Sequence, residues 1–349
     1  MKILGIETSC DETSCAVVED GRRVLSNVIA SQIDLHAKTG GVVPEVAARE
    51  HVLKMIPVLE DALTEAKCGW DDIDAIAITQ GPGLISSLIV GTETANVISF
   101  VKNKPLIPVM HIVGHIYSNW LEIEDDVQFP IIILTVSGGH NELVLMPKHN
   151  EFHVLGESLD DAAGEAFDKV ARILGLGYPG GPVIAKAALE GDPHAFKLPI
   201  SKLGKDSLNF SFSGLKTAVL NEVKDYISKN NTKSEKDFDP KFVKYLAASF
   251  QETTCQTLAA NLIKAYKKYP EVKELHLSGG VSANLRLREI IQEKLPSGIK
   301  FRHPKSIKFC TDNAAMIACA GHYLYQLAPN KYKAKTNITP TTSFEIQDF

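Results

Sequence analysis

His111 and His115 stand four residues apart in His111-Ile112-Val113-Gly114-His115. Read as helix, that spacing puts both imidazoles on one face, one turn apart. A helix offers two nitrogen ligands to a single divalent ion in this way. A metallopeptidase helix would carry Glu directly after the first His as general base; here Ile112 stands there. The pair therefore fits a metal that holds a substrate rather than one that activates water beside a neighbouring carboxylate. Asp312 lies between Cys310 and a predicted helix. It is either the N-cap of that helix or the oxygen ligand the His pair lacks, and Cys310 is a rival ligand.

Three glycine turns share a second logic. Ser137-Gly138-Gly139 and Ser278-Gly279-Gly280 each follow a strand-like run, and Gly180-Gly181-Pro182 opens a helix. Glycine lets backbone amides approach an anion closely, and a following helix adds the positive end of its dipole. Three such turns, one of them leading to Asn284, point to a nucleotide site. The chain has neither GxxxxGK[ST] nor GxGxxG after a first strand, which disfavours the common nucleotide folds. Asp161, Glu165 and Asp168 fall on one face of a predicted helix over 160–174. Asp160 and Asp161 suit helix capping, whereas Asp168, between Phe167 and Lys169, is the better candidate for holding a hydroxyl. Asp11 and Glu12, in the first polar turn, are the best candidates for a general base.

The elements that must position these residues follow from periodicity. Strands are expected at 3–6 and 16–18 around a polar turn, then at 24–30, 73–79 and 106–110. Helices are expected at 44–66, kinked at Pro57, and at 86–100. Strand, small polar turn and strand then recur at 131–146, which reads as duplication of an α/β domain. The second half adds helices at 160–174, 183–189, 213–227, 242–266, 281–293 and 313–327. Residues 229–239 are polar and read as a mobile loop, and 328–349 as a surface tail. The domain division is drawn at 1–110, completed by 321–349, and 111–320, which would carry the metal and a nucleotide cleft.

The 349 residues, 44% hydrophobic and 23% charged, suit a globular chain with two real cores. No apolar run spans a bilayer and no basic, apolar leader opens the chain, so a cytoplasmic protein without membrane contact is expected. The six cysteines have no CxxC spacing and read as reduced thiols. A net charge of −5 does not advertise a nucleic-acid binder. Basic residues nevertheless cluster at Lys264, Lys267 and Lys268, at Arg286 and Arg288, and at Lys300, Arg302, Lys305 and Lys308. If a nucleic acid binds, these are where counterion release would act, Arg286 and Arg288 among them.

Taken in order, Glu7-Thr8-Ser9-Cys10-Asp11-Glu12-Thr13, His111-x-x-x-His115, Val136-Ser137-Gly138-Gly139-His140, Asp161-Ala162-Ala163-Gly164-Glu165-Ala166-Phe167-Asp168-Lys169, Tyr178-Pro179-Gly180-Gly181-Pro182, Phe212-Ser213-Gly214-Leu215-Lys216 and Ser278-Gly279-Gly280-Val281-x-x-Asn284 strongly resemble the TsaD family, once called Gcp or O-sialoglycoprotein endopeptidase. The resemblance runs from residue 3 to about residue 325 and is to the bacterial branch. It implies a duplicated actin-like, sugar-kinase-like (ASKHA) α/β fold with two domains around a nucleotide cleft. It implies transfer of a threonylcarbamoyl group from threonylcarbamoyl-AMP to the N6 amine of the adenosine 3′ of the anticodon, in tRNAs reading codons that begin with A. It implies one divalent metal, Fe(2+) before Zn(2+), on His111, His115 and Asp312. Substrate contacts are implied for Thr135, Val136, Ser137, Gly138, Gly139, Asp168, Gly181 and Asn284. Implied partners are tRNA, adenine nucleotides and TsaB- and TsaE-type proteins. Many relatives carry an acidic residue four positions after Gly181, where this chain has Ala185. The competing readings are a metalloendopeptidase, a small-molecule kinase or ATPase of the same fold, and a non-enzymatic nucleotide-binding scaffold.

Overall fold

The computed structural model describes residues 1–201, 203–232, 234–333, 337–343 and 346. Two compact units divide it: unit 1 holds residues 1–128, 146–152 and 303–349, and unit 2 holds 129–145 and 153–302. The sequence draws its boundaries at 110 and 320; the compact units divide at 128/129 and 302/303, so His111, His115 and Asp312 all fall in unit 1. Of the tail, residues 334–336, 344–345 and 347–349 lie outside the described residues.

In unit 1 the chain order is β1 (Lys2–Glu7), β2 (Glu12–Glu19), β3 (Arg23–Ser31), α1 (Ile33–Ala37), α2 (Pro44–Glu65), β4 (Ala75–Gly81), α3 (Ile85–Lys102), β5 (Leu106–Met110) and α4 (His111–Tyr117). The chain continues with β6 (Ile131–Val136), β7 (Asn141–Lys148), β8 (Glu151–Glu157), α5 (Ala163–Ile173), α6 (Gly180–Ala188), α7 (Ser213–Asn230), α8 (Pro240–Lys268), β9 (Glu274–Ser278), α9 (Leu285–Lys294) and β10 (Lys300–Arg302), and ends with α10 (Ala314–Leu327) in unit 1. The two five-stranded sheets have one topology, β3-β2-β1-β4-β5 and β8-β7-β6-β9-β10. β1 pairs antiparallel with β2 and parallel with β4, and β6 is likewise parallel to β9. The strand–turn–strand repeat in the sequence is thus repeated architecture.

The central strands are apolar on both faces because helices cover both. Ile3, Leu4, Ile6, Ile76 and Ile78 in unit 1, and Ile132, Leu134, Leu275 and Leu277 in unit 2, are fully buried. Each such side chain contributes roughly 1.5–3 kcal/mol relative to exposure. One glycine sets a close approach that the site depends on. A Cβ on Gly5 would lie 2.2 Å from the Ala314 carbonyl oxygen, so the first turn of α10 rests directly on β1.

Several elements differ from the sequence reading. α2 runs unbroken through Pro57. α7 extends to Asn230 and stops at Asn231 in the left-handed conformation, inside the segment expected to be loop. α5 starts at Ala163 rather than 160, because Asp160 and Asp161 have other partners. The segment after Gly279 is a 3-10 turn, Gly280–Ala283, before α9 begins at Leu285. β8 and the three-residue β10 are not anticipated. Among the described residues no helix is long and apolar enough to cross a membrane, and all six cysteines are free thiols.

Candidate metal centre and glycine turns

The His pair is positioned by packing. β5 delivers the chain into α4, whose seven residues are all buried. Gly114 lets α10 pack close: its Cβ would fall 2.6 Å from Ile317 Cδ1 of α10. The same close packing sets the residues just before α10 beside the imidazoles. His111 Nε2 and His115 Nε2 lie 3.4 and 3.2 Å from Asp312 Oδ1. One donor atom from each of the three residues lies within 4.8 Å of the others, the one such group among the described residues. Asn313, not Asp312, caps α10, accepting from the Met316 amide at 3.1 Å. That removes the capping role the sequence left open for Asp312. Cys310 also stands apart: its Sγ faces the Ser306 carbonyl at 3.6 Å, outside the donor group.

The surroundings fit a divalent metal. His115 Nδ1 is buried without a hydrogen bond, and its Nε2 faces Asp312 Oδ1. His111 Nδ1 lies 3.1 Å from Glu7 Oε2 and 3.1 Å from Ser9 Oγ, which turns Nε2 towards Asp312. Glu7 is fully buried and accepts from Thr79 Oγ1 at 2.6 Å and from the Ser9 amide at 2.5 Å. A carboxylate behind a ligating imidazole fixes its ring orientation and raises its basicity. Glu7 heads the Glu7–Thr13 motif quoted above, but sequence reasoning gave it no role of its own. Burial opposes charge throughout, yet Asp312 and Glu7 hold the His111 pKa well above its ordinary value. The two imidazoles hold Asp312 well below the carboxylate range against its burial. Burial leaves His115 below its ordinary value. Two imidazole nitrogens and a carboxylate oxygen suit a first-row divalent ion, iron or zinc alike.

Asp11 and Glu12 sit where β1 turns into β2. Asp11 is buried, and its carbonyl accepts from the Gln32 amide. Glu12 accepts from Ser31 Oγ at 2.9 Å. Burial, with the Asp11 and Asp312 carboxylates, pushes the Glu12 pKa up to about 9. His51 holds the turn, its Nε2 3.0 Å from the Cys10 carbonyl and its Nδ1 2.8 Å from Thr13 Oγ1.

In unit 2 the glycine turns meet through shared neighbours. Thr135 Oγ1 lies 2.9 Å from Ser278 Oγ, and Gly279, at φ +82°, presses on the Val136 carbonyl. The Glu165 amide of α5 donates to the Gly138 carbonyl at 3.0 Å, and a Cβ on Gly164 would strike Ser137 and Gly138. Asp168 Oδ1 accepts from the Gly180 amide at 2.6 Å, which moors the start of α6 to α5. Two of the three Gly-Gly pairs therefore split into two roles, and the third, Gly138-Gly139, is open at both residues. Gly279 and Gly180 are demanded by backbone packing, whereas Gly138, Gly139, Gly181 and Gly280 face open space. Fold packing does not require those four to lack side chains. Asn284 caps α9 through the Leu287 amide, and its Nδ2 donates to Gln251 Oε1 at 2.9 Å. Asp160 and Asp161 are not helix caps. Asp160 accepts from the Ser211 and Ser213 hydroxyls and from the Phe212 amide, and Asp161 pairs with Lys169 and Lys216. Both thereby fasten the Phe212-Ser213-Gly214-Leu215-Lys216 motif.

The profile of the TsaD family, tRNA N6-adenosine threonylcarbamoyltransferase, matches residues 23–319. A protein of that name from Thermomicrobium roseum is 52% identical over 343 residues, 93% of this chain and 92% of the relative. Another from Desulfitobacterium hafniense is 50% identical over 326 residues, with 93% and 92% covered. Among solved structures, T. kodakarensis HypF superposes with a TM-score of 0.60 at 14% identity, covering 97% of this chain and 49% of that one. Component A of the (R)-2-hydroxyglutaryl-CoA dehydratase of Acidaminococcus fermentans does so at 0.52 and 14%, covering 94% and 99%. The repeated mixed sheets and these likenesses identify the fold as duplicated actin-like α/β, the ASKHA type.

Proposed function

The chain belongs to the TsaD family of tRNA N6-adenosine threonylcarbamoyltransferases, and from that membership we propose that it moves a threonylcarbamoyl group from threonylcarbamoyl-AMP to N6 of the adenosine 3′ of the anticodon, in tRNAs reading codons that begin with A. The observation that carries this reading is the His111, His115 and Asp312 donor group, assembled in a chain half identical to proteins named for this transfer. A divalent metal on these three residues, Fe(2+) before Zn(2+), would supply a Lewis acid for a carbonyl oxygen and fix its orientation.

The chain's own groups carry the rest. The donor is a mixed carbamic–phosphoric anhydride whose leaving group is AMP. We assign the amides of Gly138, Gly139 and Gly181 to its phosphate, together with the Ser137 hydroxyl, since those glycines leave the backbone open to an anion while the Ser137 amide is held by the His140 carbonyl. Asn284, Thr135 and Val136 line the same turns, and Asp168 holds the Gly180–Gly181 amides in place. The adenosine amine is a poor nucleophile, so positioning supplies much of the acceleration. Asp11 is assigned to receive its proton. Glu12, pushed up to about 9, stays protonated at neutral pH and donates rather than accepts there.

An endopeptidase is disfavoured by the same geometry. Ile112 is buried where a water-activating Glu would stand, and Glu7 is tied up by His111, Thr79 and Ser9. For a TsaB-type partner we propose the exposed apolar face of α2 and α3, where Val52, Leu53, Ile56, Val97, Phe100 and Val101 are 53–66% exposed. A TsaE-type protein completes the proposed assembly, which works in the cytoplasm with its tRNA. The test is incubation with unmodified tRNA, threonine, bicarbonate, ATP and the adenylate-forming enzyme, followed by mass spectrometry of the nucleosides. The threonylcarbamoylated adenosine is expected. ATP turnover on a small acid or sugar, with no modified nucleoside, would establish the kinase reading instead.

A further inference from the structure

Two hollows of about 500 Å³ each lie side by side along α8 in unit 2 and share Ala260 and Lys264. One is walled by residues of the 200–211 segment with Gln256, Thr257 and Asn261; the other by Lys267, Lys294 and Pro296 among others. Among the described residues no Asp or Glu lines either hollow, while Lys205, Lys264, Lys267 and Lys294 do. Lys264 Nζ donates to the Ser207 carbonyl at 2.7 Å, and neighbouring Lys268 Nζ to the Asp206 carbonyl at 2.6 Å. Carbonyl acceptors fix an ammonium without cancelling its charge. None of these five lysines has a carboxylate within ion-pair distance among the described residues.

That sets them apart from the other basic clusters in the sequence. Arg286 is held by Glu252, Glu289 and Glu293, at 2.8, 3.1 and 3.2 Å. Arg302 is buried against Glu274. Arg288 Nε is committed to the Ser282 carbonyl at 2.5 Å. The Arg286 charge is therefore offset where it stands, and reversing it would break a structural network before it touched any ligand. The α8 lysines form a run of uncompensated charge over two hollows in series. Asn261, Gln256, Thr257 and Ser211 line the first hollow with their own donors spent inside the protein, on the Leu208 and Asn209 carbonyls, Glu252, the Thr253 carbonyl and Asp160, so the lysines carry the charge presented to a ligand.

We propose that this groove along α8 binds a phosphodiester backbone, and that the backbone is that of the tRNA substrate; the inference rests on the function proposed above. A single phosphate would need one hollow, whereas two joined at Lys264 suit a strand. Lysine ammonium groups position a backbone without reading bases. Each phosphate neutralised releases counterions, so binding through the groove is salt-dependent in proportion to the lysines engaged.

The test uses the full chain with Lys267→Glu and Lys294→Glu together. Both residues are exposed, and the change leaves the loop anchors Lys264 and Lys268 intact. Lys224→Glu with Lys229→Glu on α7 is the control of equal charge. tRNA affinity is measured across a salt series, with melting temperature and nucleoside formation alongside. The groove variant is expected to lose roughly tenfold or more in affinity at low salt, with the log–log salt slope flattened by about two. The control should keep the wild-type slope, and both variants should melt as wild type. Equal affinity and slope in groove variant and wild type, with wild type forming the modified nucleoside, overturn the groove alone. A wild type that forms no modified nucleoside overturns the functional reading beneath it.

Discussion

Substituting the two adjacent glycines Gly180 and Gly181 separates fold from binding within one turn. A Cβ on Gly180 would lie 2.4 Å from the Phe167 carbonyl oxygen, 2.5 Å from Asp168 Cα and 2.6 Å from Asp168 N. All three are α5 backbone atoms, so no side-chain rotation relieves the clash. Moving α6 away stretches the 2.6 Å bond from the Gly180 amide to Asp168. Overpacking of this kind costs about 1–3 kcal/mol, and weakening a hydrogen bond to a carboxylate about 1.5–3. The gain in helix propensity from Gly to Ala returns about 1. Gly180→Ala should therefore destabilise by about 2–4 kcal/mol, which lowers the melting temperature by roughly 5–15 °C. Gly181 has nothing within 4 Å of its Cβ position. Gly181→Ala should melt at or slightly above wild type. Gly181→Val, and Gly138→Val likewise, should keep the fold but weaken adenine-nucleotide binding roughly tenfold, because the methyl groups occupy the approach to the amides. Thermal unfolding and titration calorimetry on the same samples decide it. A Gly180→Ala protein as stable as wild type would refute the packing argument, and wild-type nucleotide affinity in both valine variants would leave the turns purely structural.

His111→Ala or Asp312→Ala should bring bound metal to background with the fold retained, while Cys310→Ser keeps its metal; elemental analysis distinguishes them, and unchanged metal in the first two would sink the site. Glu7→Gln should leave the ligands in place but weaken metal retention about 10–100-fold, read by competition with a chelator; full retention would reduce Glu7 to a packing residue. Donors from Ser211, Ser213 and the Phe212 amide outweigh partial burial and hold Asp160 below its ordinary pKa. A depressed folded pKa stabilises above the unfolded value, and that stability fades as pH falls through the folded value. Asp160→Asn should therefore be less stable than wild type at pH 7, with the gap closing on acidification to about pH 3; a gap independent of pH in melting curves would contradict the charge argument.

The chemistry of the chain was more legible than its supports. Two histidines at helical spacing are visible because helix geometry alone puts them together. The sequence left Asp312 between cap, ligand and bystander. What decides is that Gly5 and Gly114 let α10 settle on β1 and α4, a contact between segments about 200–300 residues apart that no local pattern encodes. Glu7 was invisible for the same reason: it acts by lying under His111, and within its own strand it is one polar residue at the end of an apolar run. The glycine turns were legible as motifs, but not which of their glycines, Gly180 and Gly279, serve packing. That division depends on whether another backbone passes within van der Waals distance. Asp160 and Asp161 misled because cap and loop-holder have the same local sequence, and only the distant Phe212-Ser213-Gly214-Leu215-Lys216 segment tells them apart.

Net charge is a similar case. At −5 the chain should repel a polyanion, and counting basic residues along the sequence singles out Arg286 and Arg288 as readily as Lys264 and Lys267. Partners, not counts, set the local field. An arginine within 3.2 Å of three carboxylates presents little positive potential to a ligand. A lysine anchored on a carbonyl presents nearly all of its charge from a fixed position. Fixing the cation beforehand also reduces the side-chain entropy lost when a phosphate arrives. The same distinction applies to the metal group. His111 is tied to Glu7 on one nitrogen and aimed at Asp312 with the other, while His115 points its Nε2 at the same carboxylate. A cation that takes the facing lone pairs of both imidazoles and of Asp312 binds the folded state alone, so metal loading should raise the melting temperature of unit 1 more than that of unit 2.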